Sequence, residues 1–245
     1  MLVTAEVKDA LQVNWTLPAA WLPPAPEPLR YELHPTREGD RVLASALLFH
    51  VETVRLGGMP APHPSFPQFQ LRLAALDGDR MPAVYFRRFL VPAWALPAAW
   101  LIGRQPAGAA RLDFPRPSES PEGGPWRWAV AGRRGLVVTA RRGGGPVAEP
   151  SFGSFAATVG YFLERSRGYV GAVGGLRRLE VEQPLPLATP VTVEVQRAGL
   201  LEEALGLPRG AVPTLHSAWL CADWRVSFEV LPELEPNLAR VPAPG

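Results

Sequence analysis

The chain has 245 residues, 47% of them hydrophobic, which is enough for one large β domain with its own core. Its 25 basic and 23 acidic residues leave a net charge of only +2, and they form no long run of one sign. A nucleic-acid-binding surface is therefore not expected, and no apolar stretch reaches the roughly 18 residues that a membrane-spanning helix needs.

The residue usage carries two further signals. Lys8 is the only lysine, against 24 arginines, and the 29 prolines suggest a GC-rich coding bias or a heat-adapted protein. Cys221 is the only cysteine, so no intramolecular disulfide can form. Because the first residues also lack the pattern of a signal peptide, a cytoplasmic location is expected.

The first half of the chain reads mainly as strands. Residues 1–13 are expected to form a lead-in arm, either a short strand or a partly ordered segment, and residues 17–28 are a proline-rich extended segment. Residues 42–54 form a β-type run that is apolar on both faces, which is typical of a central strand. Residues 69–73 alternate cleanly, and Asp77-Gly78 predicts a hairpin turn into a return strand over residues 83–89.

The second half adds short helices and more strands. We expect helices over residues 93–102, 152–165 and 200–207, a hairpin over 126–141, and strands over 169–173, 176–181, 191–196 and 217–230. The second helix should bury Phe155, Val159, Phe162 and Leu163 on one face, with Ser151 or Ser154 as its cap. In the last strand, Ala218 to Val230 are expected to put every second residue on one apolar face.

About ten strands and a few short helices predict a mainly β protein, all-β with helices at the mouth of a barrel or cone. The chain shows no repeat of fixed period and no linker, so residues 1–245 are expected to form a single domain. Residues 232–245 are expected to be a loose tail.

Polar residues on the first predicted hairpin form the main candidate site. Gln68, Gln70 and Arg72 share one face, and the hairpin should bring Tyr85 with Arg87 or Arg88 beside them. If this face lines a barrel lumen, it would bind a carboxylate or similar anion. If it faces outward, it is an ordinary wet surface.

A second candidate cluster lies at the junction of a helix and a strand. Glu164, Arg165 and Arg167 are close in the sequence, and either a ligand site or surface salt bridges would account for them. The four histidines, His34, His50, His63 and His216, are scattered without metal-ligand spacing. No metal and no cofactor are therefore expected.

Several segments carry a resemblance to a known family. They are LPAAWLPP, VETVRLGGMPAP, FPQFQLR, VYFRRFLVPAWALPAAWLIG, YFLERSRGY and PTLHSAWLCADWRVSFEVLP, which span most of the chain between Asn14 and Pro232. In this order they resemble the YqjF-like family of uncharacterised proteins (DUF2071), within the acetoacetate decarboxylase-like superfamily. The resemblance implies a β-cone with an internal cavity.

The resemblance also implies a chemical test. The decarboxylase of that superfamily forms a Schiff base through a lysine, which would lie in the segment matching residues 89–101. Here that segment contains no lysine, and arginine does not form imines in this way. Relatives also carry an acidic residue and an asparagine where this chain has Gln68 and Gln70, so a candidate general base is missing.

Three hypotheses follow. The first is a protein that binds a small anionic or carbonyl-bearing ligand in its cavity, without Schiff-base chemistry, through Arg72, Gln68, Gln70, Tyr85, Arg87, Glu164 and Arg167. The second is a lyase or hydrolase that uses Glu164 as acid/base in the same cavity. The third is a scaffold whose interior is filled by tryptophans. The expected partner is a small molecule, without nucleic acid or membrane, and superfamily members can be oligomeric.

Overall fold

A computed structural model describes residues 2–36, 39–61, 65–101, 106–120, 124–143, 152–172 and 175–233. Strands dominate these residues and short helices accompany them, which confirms the predicted mainly β class. None of the helices in the described ranges has the length and apolar character needed to cross a lipid bilayer.

The elements follow one another in this order. The strands are β1 (Leu2–Pro18), β2 (Arg30–Tyr31), β3 (His34–Thr36), β4 (Gly39–Leu56), β5 (Met59–Ala61), β6 (Phe66–Leu76), β7 (Pro82–Val91), β8 (Ala107–Ala109), β9 (Leu112–Asp113), β10 (Trp126–Val130), β11 (Leu136–Arg142), β12 (Arg167–Ala172), β13 (Gly175–Glu182), β14 (Ala188–Ala198) and β15 (Thr214–Glu233). The helices are α1 (Leu96–Leu101), α2 (Phe155–Leu163) and α3 (Gly199–Leu205), and single 3₁₀ turns span Ala19–Trp21 and Ala93–Ala95.

Seven strands close into a barrel. Their order is β1, β4, β6, β7, β12, β13 and β15, and β15 then pairs with β1. All of these neighbours are antiparallel except β7 and β12. Closure gives every barrel strand a partner on both sides, so the backbone hydrogen bonds of this sheet have no open edge.

The hairpin between β6 and β7 forms where the sequence predicted it. Asp77 directly follows β6, and its Oδ1 accepts hydrogen bonds from the backbone N–H groups of Asp79 and Met81, both at 2.9 Å. A short acidic side chain that bonds its own following backbone in this way fixes a tight turn. The predicted hairpin of residues 126–141 is also present, as β10 and β11.

A second sheet packs against the barrel. It contains β9, β10, β11 and β14, and β14 joins it to the barrel by pairing with residues 219–221 of β15. Between the two sheets lies an apolar core to which β6 contributes Leu71 and Leu73, and β10 contributes Trp126 and Trp128. We call this the inter-sheet core.

The opposite faces of the same barrel strands form a separate cluster, the barrel interior. It includes Phe49 of β4, Phe89 of β7 and Trp219 of β15. Helix α2 packs onto it with Val159, Phe162 and Leu163, which confirms most of the predicted apolar face of this helix. The side chain of Ser154 accepts a hydrogen bond from the N–H of Ala157 at 3.1 Å, so Ser154 caps the helix.

The first strand corrects the predicted lead-in arm. Strand β1 begins at Leu2 and pairs with β4 on one side and β15 on the other, so it is central to the barrel. Leu11 and Val13 are fully buried. Of the two forms expected for this segment, the strand is observed, but it is long and central because both of its faces are covered in the barrel.

Strands β1 and β15 change faces together near Asp9. In β1, Val7 and Ala10 both belong to the barrel interior, and in β15 so do Cys221 and Trp224. Strict alternation would put residues three apart on opposite faces. Asp9 takes up the change with a backbone φ of +52°, a value uncommon outside glycine but tolerated by aspartate.

This face change corrects the prediction for the last strand. Ala218 and Leu220 pack in the inter-sheet core, whereas Trp224 belongs to the barrel interior and Ala222 is exposed. The strand exists as predicted, but its even-numbered residues do not share one face. Of the predicted loose tail, residues 232 and 233 continue β15, and residues 234–245 lie outside the described residues.

Candidate functional site

A cavity of about 130 Å³ lies in the barrel interior. Most of its wall is apolar, with side chains such as Phe49, Phe86, Phe89 and Trp224. Some wall residues, Val226 and Phe228 among them, are only half-buried, so the cavity reaches the surface at that end. Enclosed apolar space with a few polar groups is the usual form of a small-molecule site.

The polar face of β6 points into this cavity. Gln68, Gln70 and Arg72 all line it, and Gln68 and Arg72 are each only 6% exposed. Their neighbours Phe69, Leu71 and Leu73 point the other way, into the inter-sheet core. The sequence allowed this face either to line a lumen or to face solvent, and in the structure it lines the cavity.

Arg72 is buried without a carboxylate partner among the described residues. Its Nη2 donates hydrogen bonds to Oε1 of Gln12 at 3.2 Å and to the carbonyl oxygen of Phe162 at 3.4 Å. Burial, together with the nearby Arg165, lowers the pKa of Arg72 to about 9. The surroundings therefore disfavour the charged guanidinium, and an anion placed beside it would relieve that cost.

A buried chain of hydrogen bonds extends from Arg72 toward β15. Gln12 donates from Nε2 to Oδ1 of Asn14 at 2.9 Å, and Asn14 donates from Nδ2 to Oγ of Ser217 at 3.0 Å. The Ser217 hydroxyl in turn lies 2.9 Å from Nδ1 of His216. All four of these residues are at most 2% exposed, so the chain fixes the acceptor that holds Arg72.

Arg165 also lines the cavity, but its charge is compensated. Its Nη2 lies 2.6 Å from Oε2 of Glu32, and its side chain is 3% exposed. Its Nε donates to the carbonyl oxygen of Tyr161 at 3.1 Å, and its Nη1 donates to that of Ala83 at 3.1 Å. Such a buried, hydrogen-bonded ion pair holds the side chain rigidly in the wall.

Arg167 is the third guanidinium of the wall. It is half-buried and forms ion pairs with Asp77 and, at 3.2 Å, with Oδ2 of Asp79. Burial raises the pKa of Asp77, but hydrogen bonds from Arg167 and from the N–H groups of Met81 and Asp79 outweigh it, so the net effect is a lowered pKa. Arg167 is thus bound to the carboxylates of the hairpin turn.

Tyr85 and Arg87, which were predicted beside the cavity residues, are not part of the cavity wall. The β6–β7 ladder runs without a shift from the turn, where Leu76 pairs with Pro82, as far as the pair of Arg72 and Phe86, and it puts Tyr85 opposite Leu73. Tyr85 packs in the inter-sheet core, and Arg87 donates to its hydroxyl at 3.3 Å and to the carbonyl oxygen of Ala204 in α3 at 3.1 Å. Because directly opposite residues of a ladder share a face, Tyr85 lies on the face of Leu73 and not on that of Arg72.

Glu164 also lies outside the cavity. It is exposed at the end of α2, and it is not among the residues that line the cavity. The hypothesis that Glu164 acts as acid/base inside the cavity therefore loses its geometric basis, because a general acid must reach the reacting atoms.

Trp94, Trp100, Trp126 and Trp128 do not fill the cavity, although Trp224 forms part of its wall. Trp126 and Trp128 are buried in the inter-sheet core, whereas Trp94 and Trp100 are each 54% exposed. None of these four side chains is part of the cavity wall. The hypothesis that they fill the interior is not supported.

Lys8 does not approach the cavity either. Its neighbour Val7 is part of the wall, but Lys8 is exposed and its Nζ lies 3.9 Å from Oδ1 of Asp223 on the outside of the barrel. The segment in which the resemblance would place a lysine contributes Phe89, Ala98 and Ala99 to the wall.

Gln12, Asn14 and the role of Arg165 were not predicted from the sequence. The first two lie on β1, in or directly after the segment that was predicted to be a lead-in arm. Their alternation with the apolar residues Leu11, Val13 and Trp15 was the available signal. Arg165 was grouped with its neighbours, but its partner Glu32 is distant in the sequence and could not be foreseen.

Comparisons with known proteins bear on the fold. No protein-family model matches the sequence, and no curated protein matches it. Among solved structures, an acetoacetate decarboxylase-like enzyme from Sphingomonas wittichii RW1 is similar, with a TM-score of 0.52, 15% identity, and coverage of 95% of this chain and 94% of that one. The enduracididine biosynthesis enzyme MppR complexed with pyruvate is similar with a TM-score of 0.51, 14% identity, and coverage of 94% and 90%. These likenesses show an acetoacetate decarboxylase-like fold, as expected from the sequence.

Proposed function

We propose that this protein binds a small organic monoanion in the barrel cavity, with the carboxylate of the ligand on Arg72. The observation that carries the proposal is the guanidinium of Arg72, which is buried in an apolar cavity and bonded only to neutral acceptors. A planar guanidinium presents paired N–H groups that match a carboxylate.

The walls suit a ligand with a compact apolar body. The cavity of about 130 Å³ is close to the roughly 150 Å³ of an engineered protein cavity that accepts benzene. The amide groups of Gln68 and Gln70 lie on the same face of β6 as Arg72 and would contact a carbonyl or carboxylate oxygen. MppR, which shares the fold, is described in complex with pyruvate, a small monocarboxylate.

The proposal does not include Schiff-base chemistry. Formation of an imine needs an unprotonated amine at the ligand, and Lys8, the only lysine, pairs with Asp223 outside the cavity. Treatment with borohydride in the presence of a 2-oxo acid is expected to leave the mass of the protein unchanged. A covalent adduct on Lys8 would contradict this part of the proposal.

The finer classification is also a proposal. We infer that the chain is a single-domain relative of the YqjF-like (DUF2071) proteins and that it works in the cytoplasm. The family assignment rests on the order of segments described above. Solving a DUF2071 protein and superposing its β6 would test this, since an arginine at the position of Arg72 is expected there.

Binding of butyrate, with the neutral isostere butyramide as comparison, tests the function. In isothermal titration calorimetry, the full chain should bind butyrate at least about tenfold more tightly than butyramide, because only the anion forms an ion pair with Arg72. In R72M, butyrate affinity should fall at least about tenfold.

R87M is the matched control, because Arg87 is an arginine of the neighbouring strand that lies outside the cavity. It should leave butyrate affinity unchanged. Equal binding of butyrate and butyramide, or full binding by R72M, would overturn the proposal.

A further inference from the structure

The cavity wall carries three guanidinium groups, and they differ in whether a carboxylate pairs with them. Arg72, Arg165 and Arg167 line the cavity, and no aspartate or glutamate is among the described residues of the wall. The carboxylates that pair with two of these arginines belong to residues that do not line the cavity. The charge that a ligand meets therefore depends on residues that it never touches.

Glu32 is the residue that compensates Arg165. It lies just after β2, and its Oε2 is 2.6 Å from Nη2 of Arg165. The side chain of Glu32 is 21% exposed, so the pair links the buried guanidinium to the outer side of the barrel. At this distance the pair is nearly neutral when viewed from the cavity.

Asp77 and Asp79 compensate Arg167 in the same way. Asp77 is 2% exposed and Asp79 is 77% exposed, and both bind Arg167 on the outer side of the wall. Arg72 is the wall arginine that lacks such a partner among the described residues. One uncompensated positive charge in an apolar cavity suits one negative charge on a ligand.

Arg165 is close enough to Arg72 to matter once its counter-charge is removed. The two side chains line the same cavity and donate hydrogen bonds to the carbonyl oxygens of adjacent residues, Arg72 to Phe162 at 3.4 Å and Arg165 to Tyr161 at 3.1 Å. Without Glu32, the wall would present two adjacent positive charges, which a ligand with two carboxylates could bridge.

We propose that Glu32 determines specificity: by compensating Arg165 from outside the cavity, it makes the site select monocarboxylates and reject dicarboxylates. This inference rests on the proposed function. A dicarboxylate bound to the wild-type protein would leave its second carboxylate buried among apolar side chains without a partner, which is costly. Glu32 acts through Arg165 and does not touch the ligand.

Titration with butyrate and succinate, which have the same number of carbon atoms, tests the inference. The wild-type protein should bind butyrate at least about tenfold more tightly than succinate. In E32Q, which keeps the size of the side chain but removes its charge, this ratio should fall about tenfold or reverse. E164Q is the matched control, because it removes an exposed carboxylate that lies outside the cavity, and its ratio should equal that of the wild type.

The outcomes separate the two proposals. Failure of the wild type to bind either probe would overturn the proposed function and the inference together. Binding of butyrate that depends on Arg72, with equal binding of succinate or with an unchanged ratio in E32Q, would overturn the inference alone. If E32Q does not fold, E32D serves instead, because its shorter side chain keeps the charge but withdraws the carboxylate from Arg165. The ratio in E32D should then fall below that of the wild type, and an unchanged ratio would overturn the inference.

Discussion

The two faces of β6 lie in different surroundings. Phe69, Leu71 and Leu73 are at most 1% exposed and pack against the second sheet, whereas Gln68, Gln70 and Arg72 line a cavity. Most of the residues on both faces are buried, Gln68 and Arg72 included, so burial alone does not distinguish the faces. The difference lies in what covers each face, a close-packed apolar layer on one side and incompletely filled space on the other.

This difference separates stability from function in the molecule. Apolar side chains in a filled core stabilise the fold through their buried area and close contacts. Polar side chains at a cavity are held by hydrogen bonds, and one of them, Arg72, retains a charge that the fold does not compensate. We expect substitutions on the two faces to affect different measurements.

The largest contrast should come from two arginines of the same cavity. Arg165→Met should destabilise the fold by about 3–5 kcal/mol, because it leaves Glu32 and several carbonyl groups without their donor. Arg72→Met should change stability by less than about 1 kcal/mol or increase it, because it removes a buried charge that has no counter-charge. Urea unfolding of both variants measures the difference.

Equal destabilisation by the two variants would contradict this assignment of the charges. It would mean that Arg72 is compensated as fully as Arg165 in the folded protein. R87M, already the control for binding, also serves as a control here, because it removes an arginine that lies outside the cavity.

The next contrast uses adjacent residues of β6. Leu71→Ala should cost about 3 kcal/mol, because Leu71 is fully buried in the inter-sheet core and its loss leaves a void. Gln70→Ala should cost less than about 1 kcal/mol, because the side chain borders a cavity and is only half-buried. The free energies of unfolding in urea provide the test, and similar values for both variants would show that the cavity face is packed like the core.

Local pattern was sufficient to predict much of this arrangement. The alternation over residues 69–73 assigned the two faces of β6, the Asp77-Gly78 turn fixed the hairpin, and the spacing of Val159, Phe162 and Leu163 gave the buried face of α2. Each of these signals depends only on neighbours in the chain, where side-chain period and turn chemistry act directly.

The errors came from strand register and from distant partners. The connection between β6 and β7 spans residues 77–81, and the register that it sets puts Tyr85 and Arg87 on the face opposite to the cavity. The face change at Asp9 reversed the faces of β15 beyond Cys221. Neither the length of a turn nor an irregularity within a strand is evident from the alternation, and a shift of one residue moves every later residue to the other face. The carboxylate behind Arg165 comes from a residue more than a hundred positions earlier, and no local pattern reveals it.

A smaller effect is expected at the cap of the helix that covers the barrel interior. Ser154→Ala should cost about 1 kcal/mol, because the N–H of Ala157 loses its acceptor at the start of α2. Ser154→Asp keeps an acceptor and should remain within a few tenths of a kcal/mol of the wild type. Thermal unfolding measures both, and an equal loss in the two variants would show that the hydroxyl contributes by some means other than capping.

The last prediction concerns the point where β1 changes faces, which belongs to neither core. There Asp9 accepts hydrogen bonds from the N–H and hydroxyl of Ser118, both at 2.8 Å, and Arg116 lies 2.6 Å from Oε1 of Glu52. His50 lies beside this cluster, 7% exposed, and burial together with the charge of Arg116 lowers its pKa.

A lowered pKa in the folded state means that the unfolded chain takes up a proton more readily than the folded one. The stability that neutral His50 contributes should therefore be present above about pH 6.5, the ordinary value for histidine, and decline as the pH falls below it. The free energy of unfolding is measured in urea at about pH 7.5 and at about pH 5.5. Its decrease from the higher to the lower pH should be larger for the wild type than for His50→Gln. Both proteins retain the carboxylates of the cluster, so those groups contribute equally to the two profiles. If the two profiles run parallel, His50 does not resist protonation in the folded protein, and the contacts at the bend tolerate a positive charge beside Arg116.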